Sequence, residues 1–234
     1  MTDPSRLCAE WKRSPWAAMP LIAIYLFLAA SPMATADEID KRTFAISVDG
    51  KPSKDSFLKL TINDHGGDHQ TVEVHASVDV RVFFVHYTYR YDGTEEWKNG
   101  RLMKLESQCN DDGTRMSVNA EADGNDLKVR TRTQETKMRW DVWTTTYWQL
   151  PSQFRNKGVP MIDADTGKYL NGFLQFVGNE NVMVNGGWTP CAHYRVTADK
   201  IDVNVWYDNH DRLVRQTSKE QGHTTLFTLQ PNGR

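Results

Sequence analysis

The sequence predicts an all-β protein: a curved antiparallel meander that forms a half-barrel or open barrel, with a short aromatic crossover segment as its lid. Two observations predict this fold. Alternating apolar and polar residues recur in short stretches after residue 70, and turn pairs such as Asp92-Gly93 and Asn99-Gly100 separate them. Long helical periodicity is absent after residue 36, and the chain has no glycine-rich phosphate loop. A doubly wound nucleotide-binding fold is therefore not expected.

The first 36 residues have the pattern of a cleaved signal peptide. Lys12 and Arg13 precede an apolar run of fourteen residues, Ala17 to Ala30, and Ala34-Thr35-Ala36 forms an A-x-A cleavage site. The alternative is an inner-membrane anchor over residues 14–36, since twenty-three uncharged residues are long enough to span a bilayer. We expect a signal peptide over residues 1–36, a single β-rich domain over residues 37–234, and a periplasmic or secreted protein.

Composition excludes one class of partner. Without residues 1–36 the chain has 198 residues, with 25 Lys and Arg against 28 Asp and Glu, a formal charge of −3. This length suits one domain. Nucleic-acid binding is not expected, because it normally requires a clustered basic face. The composition does not specify an oligomeric state.

The strands fall into two sets. The first begins at Thr71, where alternate residues are apolar: Val72, Val74, Ala76, Val78, Val80, Val82 and Phe84. Beyond Val82 both faces become apolar or aromatic, which indicates a strand covered on both sides. Further short extended stretches reach Glu135, and a second set runs from Gly167 to the end of the chain. Regularly spaced strands with polar turns are typical of a curled or barrel-like sheet.

An aromatic segment separates the two sets. The stretch from Trp140 to Phe154, WDVWTTTYWQLPSQF, lacks strand alternation over most of its length. We interpret it as a crossing segment, partly helical or irregular, that lays aromatic rings over the sheet.

Several short motifs occur in order along the chain: EEWKNGRL, NDDG, MIDADTG and VWYD. Together they resemble an exported bacterial family of unknown function, which is distantly similar to half-barrel carriers of the lipoprotein-localisation type. The resemblance implies a concave face that holds acyl chains, and no established activity. The matching residues are Glu95, Trp97, Gly100, Arg101, Leu102, Asp111, Gly113, Asp163, Thr166, Gly167, Trp206, Tyr207 and Asp208.

The abundance of rings leads to a functional hypothesis. Of the 25 Trp, Tyr and Phe residues, 21 follow the signal segment. They pack a core or line a cavity for an apolar guest, and both uses are common in β-proteins. We expect Phe84 to fill the core, and the function to be that of a periplasmic, non-enzymatic carrier of a hydrophobic or lipid-like ligand, with transient contact to the inner or outer membrane. The expected ligand-binding residues are Tyr87, Tyr89, Tyr91, Trp97, Trp143, Tyr147 and Trp148.

Other residues are expected to be structural. Arg101 and Asp208 suit an arginine that stacks on a tryptophan and a carboxylate that pairs with a cation, and Trp206 and Tyr207 belong to the same motif. Cys109 and Cys191 form either a disulfide, in an oxidising compartment, or two separate buried thiols.

Catalytic and metal chemistry find little support. His65, His69 and His75 lie close in sequence, but around a polar Gly66-Gly67 turn, so no metal site is expected. Glu95 and Glu96 are adjacent in a strand and should point to opposite faces. No cofactor and no catalytic residue are predicted. The alternatives are an enzyme, which requires a perturbed carboxylate or His in the concavity, and an envelope scaffold, which requires an exposed apolar patch or open strand edge.

Overall fold

The computed structural model describes residues 38–82, 85–151, 153–184, 186–220 and 222–231. The predicted signal peptide and Phe84 lie outside these residues. Within them no helix has the length and apolar character needed to cross a membrane. The strands are β1 (Glu38–Val48), β2 (Lys51–Asp64), β3 (His69–Val82), β4 (Val85–Lys98), β5 (Arg101–Asp111), β6 (Thr114–Asp123), β7 (Asp126–Thr131), β8 (Glu135–Arg139), β9 (Trp143–Thr144), β10 (Lys157–Ile162), β11 (Tyr169–Val184), β12 (Gly187–Ala198), β13 (Ile201–Tyr207), β14 (Leu213–Glu220) and β15 (His223–Leu229).

All fifteen strands belong to one sheet, whose order is β8 to β1 and then β15 to β9. The first and last strands pair antiparallel, Phe44 opposite Leu229, and so join two meanders into a single sheet. Among the strands in the described ranges, only β9 and β10 run parallel to each other. The two edge strands, β8 and β9, are consecutive in the chain, and the step from Arg139 to Trp143 spans at most about 14 Å. The sheet is therefore curled with its edges near each other but unpaired, and the predicted open barrel is confirmed.

The concave face of this sheet is filled. Alternate residues of each long strand are buried, as the period of two requires, and they merge into one core cluster. The crossing segment runs through this interior and touches three parts of the wall. Arg42 Nη1 of β1 donates to the Trp148 carbonyl at 2.8 Å, Tyr207 Oη of β13 donates to the Tyr147 carbonyl at 3.1 Å, and Thr144 contacts Glu95 of β4.

A tight loop closes the lower side of the barrel, the end away from the start of β1. The loop between β10 and β11 is folded by hydrogen bonds between Asp163 and the backbone around it. Ser107 Oγ of β5 donates to the Ala164 carbonyl at 2.6 Å. Gly167 has φ +71°, and a Cβ there would lie 3.0 Å from the side chains of Val129 and Thr131. A glycine is needed for this close approach beneath β7.

The β11–β12 hairpin extends past its neighbours at the upper end, where β1 begins. A bulge between Phe176 and Gly178 redirects β11. Beyond it, Val182, Val184 and Cys191 pack with two residues of β13 and β14, Trp206 and Val214, in a second buried cluster. Since Tyr207 and Leu213, the neighbours of those two residues, face the interior, this second cluster lies on the outer wall. The hairpin is thus folded against the outside of the barrel.

Candidate functional site

Most of the rings expected to line a cavity are packed instead. Tyr91, Trp97, Trp143, Tyr147 and Trp148 are 3–8 % exposed and belong to the main core cluster. The Trp97 and Trp148 rings meet edge to face at 6.1 Å, and those of Trp143 and Tyr147 do so at 5.1 Å. Rings that lined a ligand-sized hollow would keep more accessible surface. The expected open concavity at these five residues is therefore corrected to a packed interior, because the crossing segment occupies the space.

The remaining two rings of that set are also engaged. Tyr87 is 37 % exposed, and its hydroxyl donates to Asp111 at 2.8 Å. Tyr89 is half-buried, and its hydroxyl lies 3.0 and 3.1 Å from the two carboxylate oxygens of Asp165. Neither ring faces Trp143, Tyr147 or Trp148 across an open space, since Tyr87 lies at the surface and Tyr89 is turned toward the loop of Asp165.

A carboxyl group lies fully buried in the interior. Glu95 is 0 % exposed and accepts hydrogen bonds from Trp97 Nε1 at 2.7 Å, Thr146 Oγ1 at 2.8 Å and Thr144 Oγ1 at 3.2 Å. Burial raises the pKa of Glu95, and these donors partly offset the rise. Glu96 points the other way, to His69 at 3.0 Å. Because two of its three donors belong to the crossing segment, Glu95 ties that segment to β4.

A second carboxyl group lies where the lower loop meets the barrel wall. Burial, followed by the nearby charge of Asp163, raises the pKa of Asp165 to about 7, although hydrogen bonds from Tyr89 and Cys109 act in the opposite direction. Burial likewise raises the pKa of Tyr89. The Tyr91 hydroxyl is buried without a well-formed hydrogen bond. The Ser107 hydroxyl near it already donates to the loop.

The W-Y-D motif spans both faces of β13. Tyr207 is 0 % exposed in the interior, whereas Trp206 lies on the outer wall, stacked on His193 at 4.2 Å and bonded through Nε1 to Glu180. Asp208 caps the following turn: its Oδ2 accepts two hydrogen bonds from the Arg212 guanidinium, at 2.7 and 2.9 Å. Burial alone would raise the pKa of Asp208, but the Arg212 bonds outweigh it and lower the pKa.

Arg101 makes a separate set of contacts. Its guanidinium lies over the Trp140 ring at 5.2 Å and donates to the Gly124 carbonyl. It therefore stacks on a tryptophan, while the cation paired with Asp208 is Arg212.

The two cysteines are free thiols that lie in different buried clusters. Cys109 is buried in the main core, and Cys191 is buried in the outer cluster. Burial raises the pKa of Cys109 to about 12 and that of Cys191 to about 11. Of the two alternatives, the structure has two separate thiols.

The histidines in and near the β2–β3 turn contact side chains of neighbouring strands. His65 contacts Thr71, and His75 lies 2.7 Å from Asp92. Within the described ranges no group of three or more metal-ligating side chains comes together.

A polar groove lies on the outer wall of β4–β7, and sequence reasoning missed it. Strand register aligns Arg90, Asn110 and Arg115 in one transverse row. The adjacent row contains Asp92, Gln108 and Ser117. Two concave regions, of about 440 and about 630 Å³, follow these rows and share the second one. The sequence signal that could have revealed this groove is the occurrence of arginines at outward-facing positions of neighbouring strands.

Comparison with known proteins agrees with this architecture. The fold and its filled interior define a β-barrel-like protein. The chain belongs to a family described as Domain of unknown function (DUF6134), which matches residues 57–230, and the resemblance to a family of unknown function is confirmed. The crystal structure of a beta-barrel-like protein of domain of unknown function DUF1849 from Brucella abortus is similar, with 8 % identity and a TM-score of 0.60 over 81 % of this chain and 94 % of that one. No curated protein matches the chain.

Proposed function

We propose that the protein is an exported, non-enzymatic binding protein of the cell envelope, whose hydrophobic or lipid-like partner contacts one face of the β11–β12 hairpin. The observation that carries this proposal is an uncharged, exposed apolar face. Register pairs Met183 with Trp188 and Phe176 with Tyr194, and the regular alternation of β12 puts both pairs on the same face. Trp188 is 70 % exposed, Met183 44 % and Phe176 41 %.

The packed interior favours contact at the surface over carriage inside the barrel. The rings expected to hold a ligand are 3–8 % exposed, and the crossing segment fills the concave side. A carrier that enclosed its ligand would need this segment to leave the core, at the cost of its buried hydrogen bonds to Arg42, Glu95 and Tyr207.

The hairpin has the chemistry of a membrane-contacting element. Transfer of a tryptophan or methionine side chain from water to an apolar environment is favourable by about 2 to 3 kcal/mol. Tryptophan is also enriched where apolar and aqueous phases meet. The opposite face of the hairpin is fixed by the outer cluster, in which Val182 is 2 % and Cys191 3 % exposed. The exposed face is thus presented on a braced element rather than on a loose loop.

Phosphatidylcholine vesicles test this proposal. The wild-type protein should sediment with them and its tryptophan emission should shift to the blue, because Trp188 moves into the interface. Trp188→Ser should remove most of the binding. Trp140→Ser is the matched control, since Trp140 is 36 % exposed, lies under Arg101 and is not part of the hairpin.

Two outcomes would overturn the proposal. One is no sedimentation and no emission change for the wild type. The other is an equal loss in both variants, which would indicate a general effect of removing tryptophan. Melting curves of both variants confirm that each is folded.

Two other functions, an envelope scaffold and an enzyme, are each supported by one observation. The exposed apolar face also satisfies what an envelope scaffold requires. A cross-link between position 188 and another protein, together with no binding to vesicles, would favour the scaffold function. The raised pKa of Asp165 is a feature expected of an enzyme. However, neither of the two concave regions is lined by Asp165 or Glu95, so the binding function is better supported.

A further inference from the structure

We propose that the groove on the outer wall of β4–β7 is a binding site for a phosphorylated sugar. Its smaller region is lined by three arginines: Arg90, Arg115 and Arg132. In the part of the chain that the structure describes, none of them lies within ion-pair distance of a carboxylate. Most other described arginines are paired in this way: Arg42, Arg130, Arg139, Arg155, Arg195 and Arg212.

The strands hold two of these arginines in register. Arg90 of β4 and Arg115 of β6 both lie opposite Asn110 of β5, so their Cα atoms are about 10 Å apart. Arginine side chains are long enough for both guanidinium groups to reach one group between them. Arg132, in the β7–β8 turn, is held beside them by a hydrogen bond from its Nη1 to the Arg115 carbonyl at 3.2 Å. Arg90 Nη1 donates to the Val78 carbonyl of β3 and to the Tyr89 carbonyl, so the Arg90 guanidinium lies on the β3 side of the groove and Arg115 and Arg132 lie on the β6 side.

The charge of the groove favours an anion. The one carboxylate lining this region is Asp92, and it already lies 2.7 Å from His75. Three arginines around one concave surface, none of them paired with a carboxylate, give it a positive potential that attracts an oxyanion. The planar guanidinium fork matches phosphate oxygens with two hydrogen bonds at once. Asn110 and Gln108 add neutral donors to the same region.

The larger region suits the uncharged part of the ligand. It continues from the row of Asp92, Gln108 and Ser117 into Thr94 and Asn119. Glu106 and Arg130 also line it, but each is already paired, with Lys104 and Glu135 respectively. Hydroxyl and amide groups that both donate and accept hydrogen bonds are suited to sugar hydroxyls. Two adjoining regions, one with three arginines and one with hydroxyl and amide groups, are together long enough for a phosphate attached to a hydroxylated ring and exceed what a free phosphate ion needs.

Calorimetric titration of the mature protein with three probes tests the site, in a phosphate-free buffer of low ionic strength. Glucose 6-phosphate should bind about tenfold more tightly than inorganic phosphate, a difference of about 1.4 kcal/mol. Glucose alone should bind too weakly to detect. The double variant Arg115→Gln, Arg132→Gln should weaken glucose 6-phosphate binding by more than about tenfold, since two charged donors are lost.

Arg195→Gln is the matched control, because Arg195 lies on β12 and is paired with Asp202. It should bind glucose 6-phosphate as the wild type does. No heat with either phosphate compound at millimolar concentration would overturn the site, and so would an equal loss in the control variant. Equal affinity for phosphate and glucose 6-phosphate would refute the sugar-binding role of the larger region. These probes contain no lipid, so the result is independent of the vesicle experiment.

Discussion

Replacing Asp165 with asparagine should change how stability depends on pH. Asp165 lies between the lower loop and the barrel wall, with its carboxyl group against Tyr89. Burial and the charge of Asp163 raise its pKa from 3.8 to about 7. Asparagine keeps an oxygen that accepts a hydrogen bond from the Tyr89 hydroxyl but cannot ionise. The variant therefore removes the titration while it retains the shape of the side chain.

The size of the effect follows from the shift. Between pH 3.8 and about 7 the folded protein keeps a proton on Asp165 that the unfolded chain releases, so raising the pH favours unfolding. The stabilising contribution is complete below pH 3.8 and is lost as the pH rises through about 7. A shift of about three pKa units corresponds to at most about 4 kcal/mol. Asp165 retains some exposed surface, so the measured value should be smaller.

Urea unfolding, followed by tryptophan fluorescence from about pH 4 to about pH 8, measures this effect. The unfolding free energy of Asp165→Asn, relative to that of the wild type, should increase as the pH rises. The difference should be largest above neutral pH. Asp112→Asn is the matched control: Asp112 is an exposed turn residue with φ +45°, which asparagine tolerates. It should follow the wild-type profile. Parallel profiles for Asp165→Asn and the wild type would refute the reasoning.

Two further predictions concern the packed wall. Gly93→Ala should lower the unfolding free energy by about 1 to 3 kcal/mol, because a Cβ there would lie 2.4 Å from the Tyr91 hydroxyl and 2.7 Å from its ring. Urea unfolding of the variant measures this loss. An unchanged unfolding midpoint would contradict the observed packing. Cys109 and Cys191 should react slowly with a thiol reagent in the folded protein and fully after denaturation without reductant, since both thiols are free, buried and raised in pKa. A denatured, unreduced sample without reactive thiols would contradict the separate burial of the two cysteines.

Local patterns predicted most of the strands. The alternation from Val72 to Val80 corresponds to β3, and the turn pair Asn99-Gly100 and the later turn signals correspond to the hairpins that follow, because side-chain period and turn chemistry depend on neighbouring residues. The turn predicted at Asp92-Gly93 is wrong, since both residues lie inside β4. β1 and β2 go beyond the predicted set, although Leu58, Leu60 and Ile62 carry the same alternating signal and are buried. The pairing of β1 with β15 is long-range, and no local pattern specifies it.

The candidate sites were less predictable, for a physical reason. Whether a ring packs or lines a cavity depends on the path of the crossing segment, and the contacts of Trp148 with Trp97 and Arg42 are visible only in three dimensions. Alternation does place Glu95 and Glu96 on opposite faces. It does not reveal that Glu95 meets the threonines of the crossing segment, or that Asp165 is turned into the wall beside Tyr89.

The β1–β15 pairing makes completion of the sheet dependent on β15, the last strand of the described chain. Phe44 has its partner Leu229 at the far end of the sequence, and contacts of such separation slow folding. Until that strand arrives, β1 presents an unpaired backbone edge in the middle of the future sheet. Shortened chains that end before β15 should accumulate as aggregates or be degraded.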